Sequence, residues 1–285
     1  METESPEQEP GLGVVVNRTF NLYISRFWLF FIPFLVAGLI TGGWGKIVSL
    51  ALPMPVAPSS TASLEVILAY LEVLIVNVLA TLFLTLLVGW IINAIVGGMA
   101  VRIVANIREN RETDLSDTLG YTTTRLISLL GAGIITGLLI SLGLIALIIP
   151  GLILMIMFAL IVPAIVIENT GALESLSRSR QLVKGRWLKT FGLILIFGII
   201  SFIANMIFGV ISSVFGPVDW VVNGLLSAIV APLLPIALTV YYYAMLLREQ
   251  PSTLPSPTAS TPPPPPPPTL ITPSEAPTER QNQLI

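Results

Sequence analysis

The chain has 285 residues, of which 54% are hydrophobic and only 11% are charged, and its mean hydropathy is +0.88. Soluble domains carry about 25% charged residues, so this composition is typical of a membrane protein. The net charge of −2 indicates no nucleic-acid partner. Cysteine and histidine are absent, which excludes thiol chemistry and removes the commonest metal ligand and general base. We therefore expect a non-enzymatic protein without a cofactor or metal site.

Composition divides the chain into three parts. Residues 1–10 form an acidic leader that lacks the basic start of a signal peptide, and we expect this leader to be disordered. Residues 11–249 form a six-helix membrane domain. Residues 250–285 are rich in proline, serine and threonine, with seven consecutive prolines at 262–268, and predict an extended, disordered cytoplasmic tail. Docking of this tail into an aromatic groove of a protein partner is the alternative to a passive linker.

Several apolar runs are long enough to cross about 30 Å of hydrocarbon. The predicted spans are 28–44 (extendable to 50), 73–96, 126–149, 151–167, 187–214 and 220–247. The second span belongs to a proline-free run, 64–110, which predicts a helix with a protruding or interfacial start and a cytoplasmic overhang. A turn at Pro150-Gly151 joins the third and fourth spans. Because the fourth span has only about 17 residues, a re-entrant hairpin is the alternative to two full crossings.

The basic residues indicate the orientation of these spans. Six spans place thirteen of the fourteen Lys and Arg residues on one side, and only Lys46 on the other. The positive-inside rule then predicts a multi-pass protein of the cell (plasma) membrane with both termini in the cytoplasm.

Three charged segments precede spans, and we name them the first elbow (11–27), the second elbow (110–125) and the third elbow (171–186). Each has an apolar stripe, and each ends near a basic residue, Arg26, Arg125 or Arg186, before a hairpin of two spans. This is a weak internal repeat. The alternative is that all cytoplasmic loops of such a protein look alike.

The third elbow has the clearest amphipathic pattern. Its apolar side chains share one face at helical spacing: Leu173, Leu176, Val183 and Trp187. Its basic side chains cover the remainder: Arg178, Arg180, Lys184 and Arg186. Long basic side chains lay their stems on apolar surface and extend their charges to lipid phosphates. We expect a helix on the membrane surface that binds anionic lipid headgroups or a partner protein; charges that only set topology are the alternative.

Other candidate residues have structural interpretations. Glu168 is expected to pair with Arg178 or Lys184, and Glu174 is a further candidate for a structural ion pair. Three amides are expected inside the membrane, where they form helix-to-helix hydrogen bonds or, alternatively, line a cavity: Asn77, Asn93 and Asn205. Five prolines are expected to kink helices: Pro33, Pro150, Pro163, Pro232 and Pro235.

One series of residues carries a family resemblance: Pro150-Gly151, Pro163, Glu168, Gly171-Ala172-Leu173, Ser179, Leu182, Lys184 and Gly185. It resembles the membrane domain attached to some glycerophosphoryl diester phosphodiesterases, and the related YciC-like integral membrane proteins. The resemblance implies six helices with amphipathic elbows. It implies no phosphodiesterase activity, which in that family belongs to a separate histidine-containing barrel. A basic residue frequent in the family pattern is replaced here by Met157.

Two functional hypotheses follow. The first is a non-enzymatic membrane protein that organises lipid or partner proteins through its basic elbows. The alternative is a permease or lipid translocator that uses proline-bent helices. A cavity lined by the three amides favours the alternative, and a tightly packed interior favours the first hypothesis.

Overall fold

The computed structural model describes residues 11–249, and all regular structure in that range is helical. The helices are α1 (Leu12–Ser25), α2 (Phe27–Ala51), α3 (Leu64–Arg108), α4 (Leu115–Thr124), α5 (Leu126–Ala146), α6 (Ile148–Met157), α7 (Ile161–Glu168), α8 (Ala172–Val183), α9 (Trp187–Ser213), α10 (Asp219–Val230) and α11 (Leu233–Glu249). A 3-10 turn, Gly216–Val218, joins α9 to α10. The predictions for residues 1–10 and 250–285 lie outside the described residues.

Six helical segments are long and apolar enough to cross a membrane. They are α2, α3, α5, the pair α6–α7, α9 and the pair α10–α11. The protein is therefore an all-α polytopic membrane protein, as the sequence predicts. The pair α6–α7 covers 21 residues in total, which is long enough for a crossing by length.

The chain repeats one architectural unit three times. A short elbow helix (α1, α4 or α8) is followed by an arginine at the N-cap position of the first span of a hairpin. The capping residues Arg26, Arg125 and Arg186 have φ angles of −129°, −97° and −130°. The weak repeat in the sequence is thus a clear repeat in the structure.

The three units pack in a cyclic order. The first span of each unit lies beside the second span of the preceding unit, so that α2 contacts α10, α5 contacts α3 and α9 contacts α6. The core lies at the elbow end, where the inner half of α3, α7 and α11 supply buried side chains such as Ile103, Ile165 and Ile236. Elbow helices cover this core, with α4 against α3 and α8 against α7.

The turn between the third and fourth spans differs from the prediction. Helix α5 ends at Ala146, and the single residue Leu147 links it to α6. Pro150 is the third residue of α6, and the prediction that it turns or kinks a helix is wrong. The first-turn N–H groups of a helix have no intrahelical acceptor, so a proline fits there without the loss of a hydrogen bond.

The other prolines have different effects. Pro163 follows the break between α6 and α7 at residues 158–160, and Pro232 lies in the break between α10 and α11. Pro232 thus agrees with its predicted kink. Pro163 and Pro235 are the third residues of α7 and α11, so each fits a first helical turn in the same way as Pro150. Pro33 lies inside α2, which continues through it as one helix.

Candidate functional site

The third elbow begins and ends as its sequence predicts. Glu174 Oε2 accepts a hydrogen bond from the backbone N–H of Gly171 at 3.4 Å, at the N-terminus of α8. Gly185 has a φ of +79°, a left-handed conformation that glycine adopts without strain, and it follows the end of the helix. Glu174 is therefore a helix cap. The prediction that it forms an ion pair is wrong within the described residues.

The apolar side chains of α8 do not form one membrane-facing stripe. Leu176 and Val183 are buried against the bundle, whereas Leu173 and Trp187 are 72% and 51% exposed. The buried face also contains Ser179. This face packs on α7 and α5. The elbow is therefore fixed to the protein through one face and exposes a second apolar face with its basic side chains.

Ser179 fastens the elbow to the break in the fourth span. Its Oγ donates to the carbonyl oxygen of Met157 at 2.7 Å and accepts from the backbone N–H of Leu160 at 3.1 Å. The break separates both backbone groups from their usual helical partners. A fully buried hydroxyl from α8 thus replaces the missing helical hydrogen bonds between α6 and α7.

Glu168 is the centre of a three-residue tie. Arg178 Nε lies 3.0 Å and 2.8 Å from the two Glu168 carboxylate oxygens, and Arg178 Nη2 lies 2.9 Å from Oε1. The hydroxyl of Tyr242 donates to Oε1 at 2.6 Å. The structure confirms the pairing of Glu168 with Arg178 and not with Lys184. Arg178 therefore holds α8 to α7 and α11, and its charge is neutralised within the protein.

A cavity of about 670 Å³ lies between the third elbow and α6. Arg180, Lys184 and Trp187 line one side, and Ile153 and Met157 line the other. Arg180 and Lys184 are exposed, are one helical turn apart, and form no ion pair with any residue between 11 and 249. The cavity therefore combines two cationic groups, an indole ring and an apolar wall.

The four predicted basic residues thus have different positions. Arg180 and Lys184 line the cavity, while Arg178 and Arg186 are not among its lining residues. Arg178 binds Glu168, and Arg186 is the capping residue of α9. Of the four basic residues predicted to bind lipid, only Arg180 and Lys184 therefore line the same cavity.

Sequence reasoning missed the tyrosines near the ends of the first two elbows. Tyr121 has Arg102 Cζ 4.0 Å and Arg125 Cζ 5.8 Å from its ring centroid, and its hydroxyl lies 2.9 Å from the carbonyl oxygen of Val166. Tyr23 donates to the carbonyl oxygen of Ile229 at 2.8 Å, and burial raises the pKa of Tyr23 to about 12. The signal available in the sequence is the tyrosine three or four residues before Arg26 and Arg125.

The three predicted amides do not come together. Asn77 donates to the carbonyl oxygen of Pro53 at 2.9 Å, and Asn93 donates within its own helix. These two residues lie sixteen positions apart on α3, which is about 24 Å. Asn205 donates to its own helix and accepts from Ser227 of α10 at 2.9 Å.

A different polar cluster lies between α2, α9 and α10, and sequence reasoning missed it. It surrounds a cavity of about 460 Å³ whose lining includes Thr41, Ser212, Asp219, Asn223 and Ser227. Ser227 Oγ lies 3.2 Å from Asn223 Oδ1, and the Asn223 amide nitrogen lies 3.4 Å from Ser212 Oγ. These side chains come from distant parts of the chain, so no local spacing marks them.

The fold and the third-elbow cavity together define a polytopic α-helical membrane protein with a basic pocket at the elbow end. Residues 14–263 match the family model described as Domain of unknown function (DUF7847), and the chain belongs to this family. No curated protein and no solved structure matches the chain.

Proposed function

We propose that the protein is a non-enzymatic membrane component that binds anionic lipid headgroups through its third elbow. The observation that carries this proposal is the cavity in which Arg180 and Lys184 face the apolar side chains of Ile153 and Met157. An anionic lipid has both complements, a phosphate for the cationic groups and an acyl chain for the apolar wall. The exposed Trp187 adds an indole, a group that favours the membrane interface.

The elbow is suited to this task because its position is fixed before a lipid binds. The Ser179 bond to Met157 holds α8 against α6, the helix that forms the apolar cavity wall, and the Arg178 ion pair with Glu168 holds α8 to α7. A preorganised site loses less conformational entropy on binding. The two structural contacts thus support the two residues that we assign to the headgroup.

The proposal includes an orientation. We infer that the elbows and both termini lie on the cytoplasmic side of the plasma membrane, where anionic lipids are concentrated. A relation to the phosphodiesterase-attached membrane domains is a further proposal, supported by the structural tasks of Pro163, Glu168 and Ser179. A protein partner for the tail stays a prediction.

The test is native mass spectrometry of lipid bound to the full chain, purified from lipid discs that contain phosphatidylglycerol. The double variant Arg180→Gln, Lys184→Gln removes both charges and largely preserves helix propensity. At about 1 kcal/mol for each basic residue, the loss is at most about 2 kcal/mol, or about thirty-fold in affinity. The matched control, Arg18→Gln with Lys46→Gln, removes two exposed charges outside the third elbow that form no ion pair with any residue between 11 and 249.

We expect the third-elbow variant to lose phosphatidylglycerol while the control retains it. Both variants should keep the melting temperature of the unmodified protein, because neither removes a buried contact. Equal lipid occupancy in the two variants contradicts the proposal. So does equal retention of phosphatidylglycerol and the zwitterionic phosphatidylcholine by the unmodified protein.

A permease or lipid translocator is the second candidate function. The observation that favours it is the polar cavity lined by Thr41, Asn223 and Ser227. One of the helices around this cavity, α10, belongs to the span that breaks at Pro232. The separation of Asn77 from Asn93 and Asn205 weighs against the cavity first expected for such a protein. Uptake of a fluorescent lipid or a polar solute into proteoliposomes distinguishes the candidates, because a binding protein alone produces no transfer.

A further inference from the structure

Helix α3 is much longer than a membrane crossing requires. It runs unbroken from Leu64 to Arg108, 45 residues, which is about 67 Å at 1.5 Å per residue. Hydrocarbon accounts for only about 30 Å of that length. Ser63 caps the outer end, with its Oγ 3.5 Å from the backbone nitrogen of Val66, so the helix starts there as a formed element. A large part of α3 therefore lies beyond the hydrocarbon.

Contacts with α2 indicate which part that is. Trp44 Nε1 donates to the carbonyl oxygen of Leu84 at 3.1 Å. Trp44 is 17 residues, about 26 Å, from the start of α2 at Phe27, and the charged Lys46 follows it. A tryptophan followed by a lysine marks the edge of the hydrocarbon. By this marker the first twenty residues of α3, 64–83, extend about 30 Å past the edge, on the side opposite the elbows. The second span then begins near residue 84 and not at residue 73 as predicted, and Asn77 lies outside the hydrocarbon.

This outer segment carries a heptad seam. The members are spaced alternately by four and three residues: Leu64, Leu68, Leu71, Ile75, Val78 and Leu82. Five of the six side chains are open, with Leu64 72%, Leu68 57%, Leu71 41%, Ile75 55% and Leu82 51% exposed, and Val78 is half-buried. The side of the helix away from the seam is the one that α2 and its following loop contact, through Asn77 and Pro53.

The geometry points to a second copy of this chain as the occupant of the seam, with the two α3 helices packed in parallel. Copies inserted in one membrane share their orientation, so the seam lies at the same distance from the membrane in each copy. A two-fold axis along the membrane normal then brings identical residues together, as an isologous interface requires. The large apolar residues at both core positions are those that a left-handed coiled coil buries.

The charges of the segment agree with self-association. The segment has two charged residues, Glu65 and Glu72, and both lie along one edge of the seam, at heptad position e. Ile67 and Leu74 lie along the other edge, at position g. In a parallel pair one edge faces the other, so the carboxylates of the two copies do not oppose each other. The segment 64–83 contains no lysine or arginine, which disfavours an acidic partner.

The chain has no cysteine, so single cysteines can be introduced without background cross-linking. The seam variants are Leu68→Cys, Leu71→Cys and Ile75→Cys. The controls, Val66→Cys and Val73→Cys, have similar exposure, 51% and 49%, and lie on the opposite side of the helix. After oxidation in native membranes, we expect disulfide-linked dimers from the seam variants and monomers from the controls.

The outcomes separate the possible occupants. Cross-linking at the control positions in preference to the seam overturns the interface, and cross-linking of all positions alike indicates random collision. Monomers throughout, with a monomer mass in native mass spectrometry, overturn the second copy in favour of lipid or another protein. As an independent arm, the triple change Leu68→Asn, Leu71→Asn, Ile75→Asn should convert dimer to monomer. Lipid occupancy at the third elbow should stay unchanged in that variant.

Discussion

The Ser179 hydroxyl lies in the break of the fourth span, 2.7 Å from the carbonyl oxygen of Met157 and 3.1 Å from the backbone nitrogen of Leu160. Ser179→Ala removes the hydroxyl, so the Met157 carbonyl and the buried Leu160 N–H both lose this hydrogen-bond partner. We expect a loss of about 1–3 kcal/mol in the free energy of unfolding, the cost of unsatisfied buried polar groups. Thermal unfolding in detergent measures it. The control is Ser177→Ala, an exposed serine of the same helix; equal melting temperatures for the two variants contradict a structural role for Ser179.

The tie around Glu168 predicts a graded series of stabilities. Glu168→Gln weakens the partner of Arg178 and of Tyr242, so it should destabilise the protein more than Tyr242→Phe, which removes one hydrogen bond. The side chains of Arg178 and Glu168 are 21% and 25% exposed, so we expect about 1–3 kcal/mol for Glu168→Gln, less than for a fully buried pair. Glu174→Gln, at the exposed helix cap, is the control. A cap variant that is as unstable as Glu168→Gln argues against the tie.

These two sites also indicate what the sequence alone was able to predict. The six spans and the elbow helices follow from long apolar runs and from amphipathic spacing, which are local properties. The pairing of Glu168 with Arg178 was one of two local options, ten and sixteen residues away. The bond from Tyr242, 74 residues away, depends on the packing of α11 against α7, and no local pattern contains that information.

The third elbow illustrates the same limit. Its spacing predicts an amphipathic helix, and that prediction is correct, but the helix has a bundle to pack on as well as a membrane. Burial of Leu176 and exposure of Leu173 are decided by α5 and α7, which a helical-wheel argument does not include. Pro150 was misinterpreted for a related reason, because its effect depends on its position within the helix.

The orientation of the spans is open to a direct test. Reporter fusions after Pro58 and after Glu249 should report opposite sides of the membrane, with Glu249 on the cytoplasmic side. The physical reason is that the predicted six spans place thirteen of the fourteen basic residues on the side of the elbows. Each fusion site is tested with two reporters, alkaline phosphatase, which is active only outside the cytoplasm, and a fluorescent protein that is active only in the cytoplasm. Each reporter then serves as the control for the other. The same side for both fusions excludes six crossings.

Two adjacent glycines on α3 provide a matched test of elbow packing. A Cβ atom at Gly98 would lie 2.6 Å from Thr122 Cγ2 of the second elbow and 3.2 Å from Leu129 Cδ1, whereas a Cβ at Gly97 has nothing within 4 Å. Both changes to alanine gain about the same helix propensity, 0.5–1 kcal/mol. Gly98→Ala also overpacks the contact between α3 and α4, at a typical cost of about 1–3 kcal/mol.

We therefore expect Gly98→Ala to lower the melting temperature in detergent and Gly97→Ala to leave it unchanged or raise it slightly. Since the two residues are neighbours in one helix, composition, membrane depth and propensity cancel in the comparison. Thr122→Ser in the Gly98→Ala background removes the Cγ2 methyl group that the new Cβ meets, and it should restore part of the lost stability. If Gly98→Ala and Gly97→Ala melt together, the second elbow does not pack on α3 as closely as the structure has it.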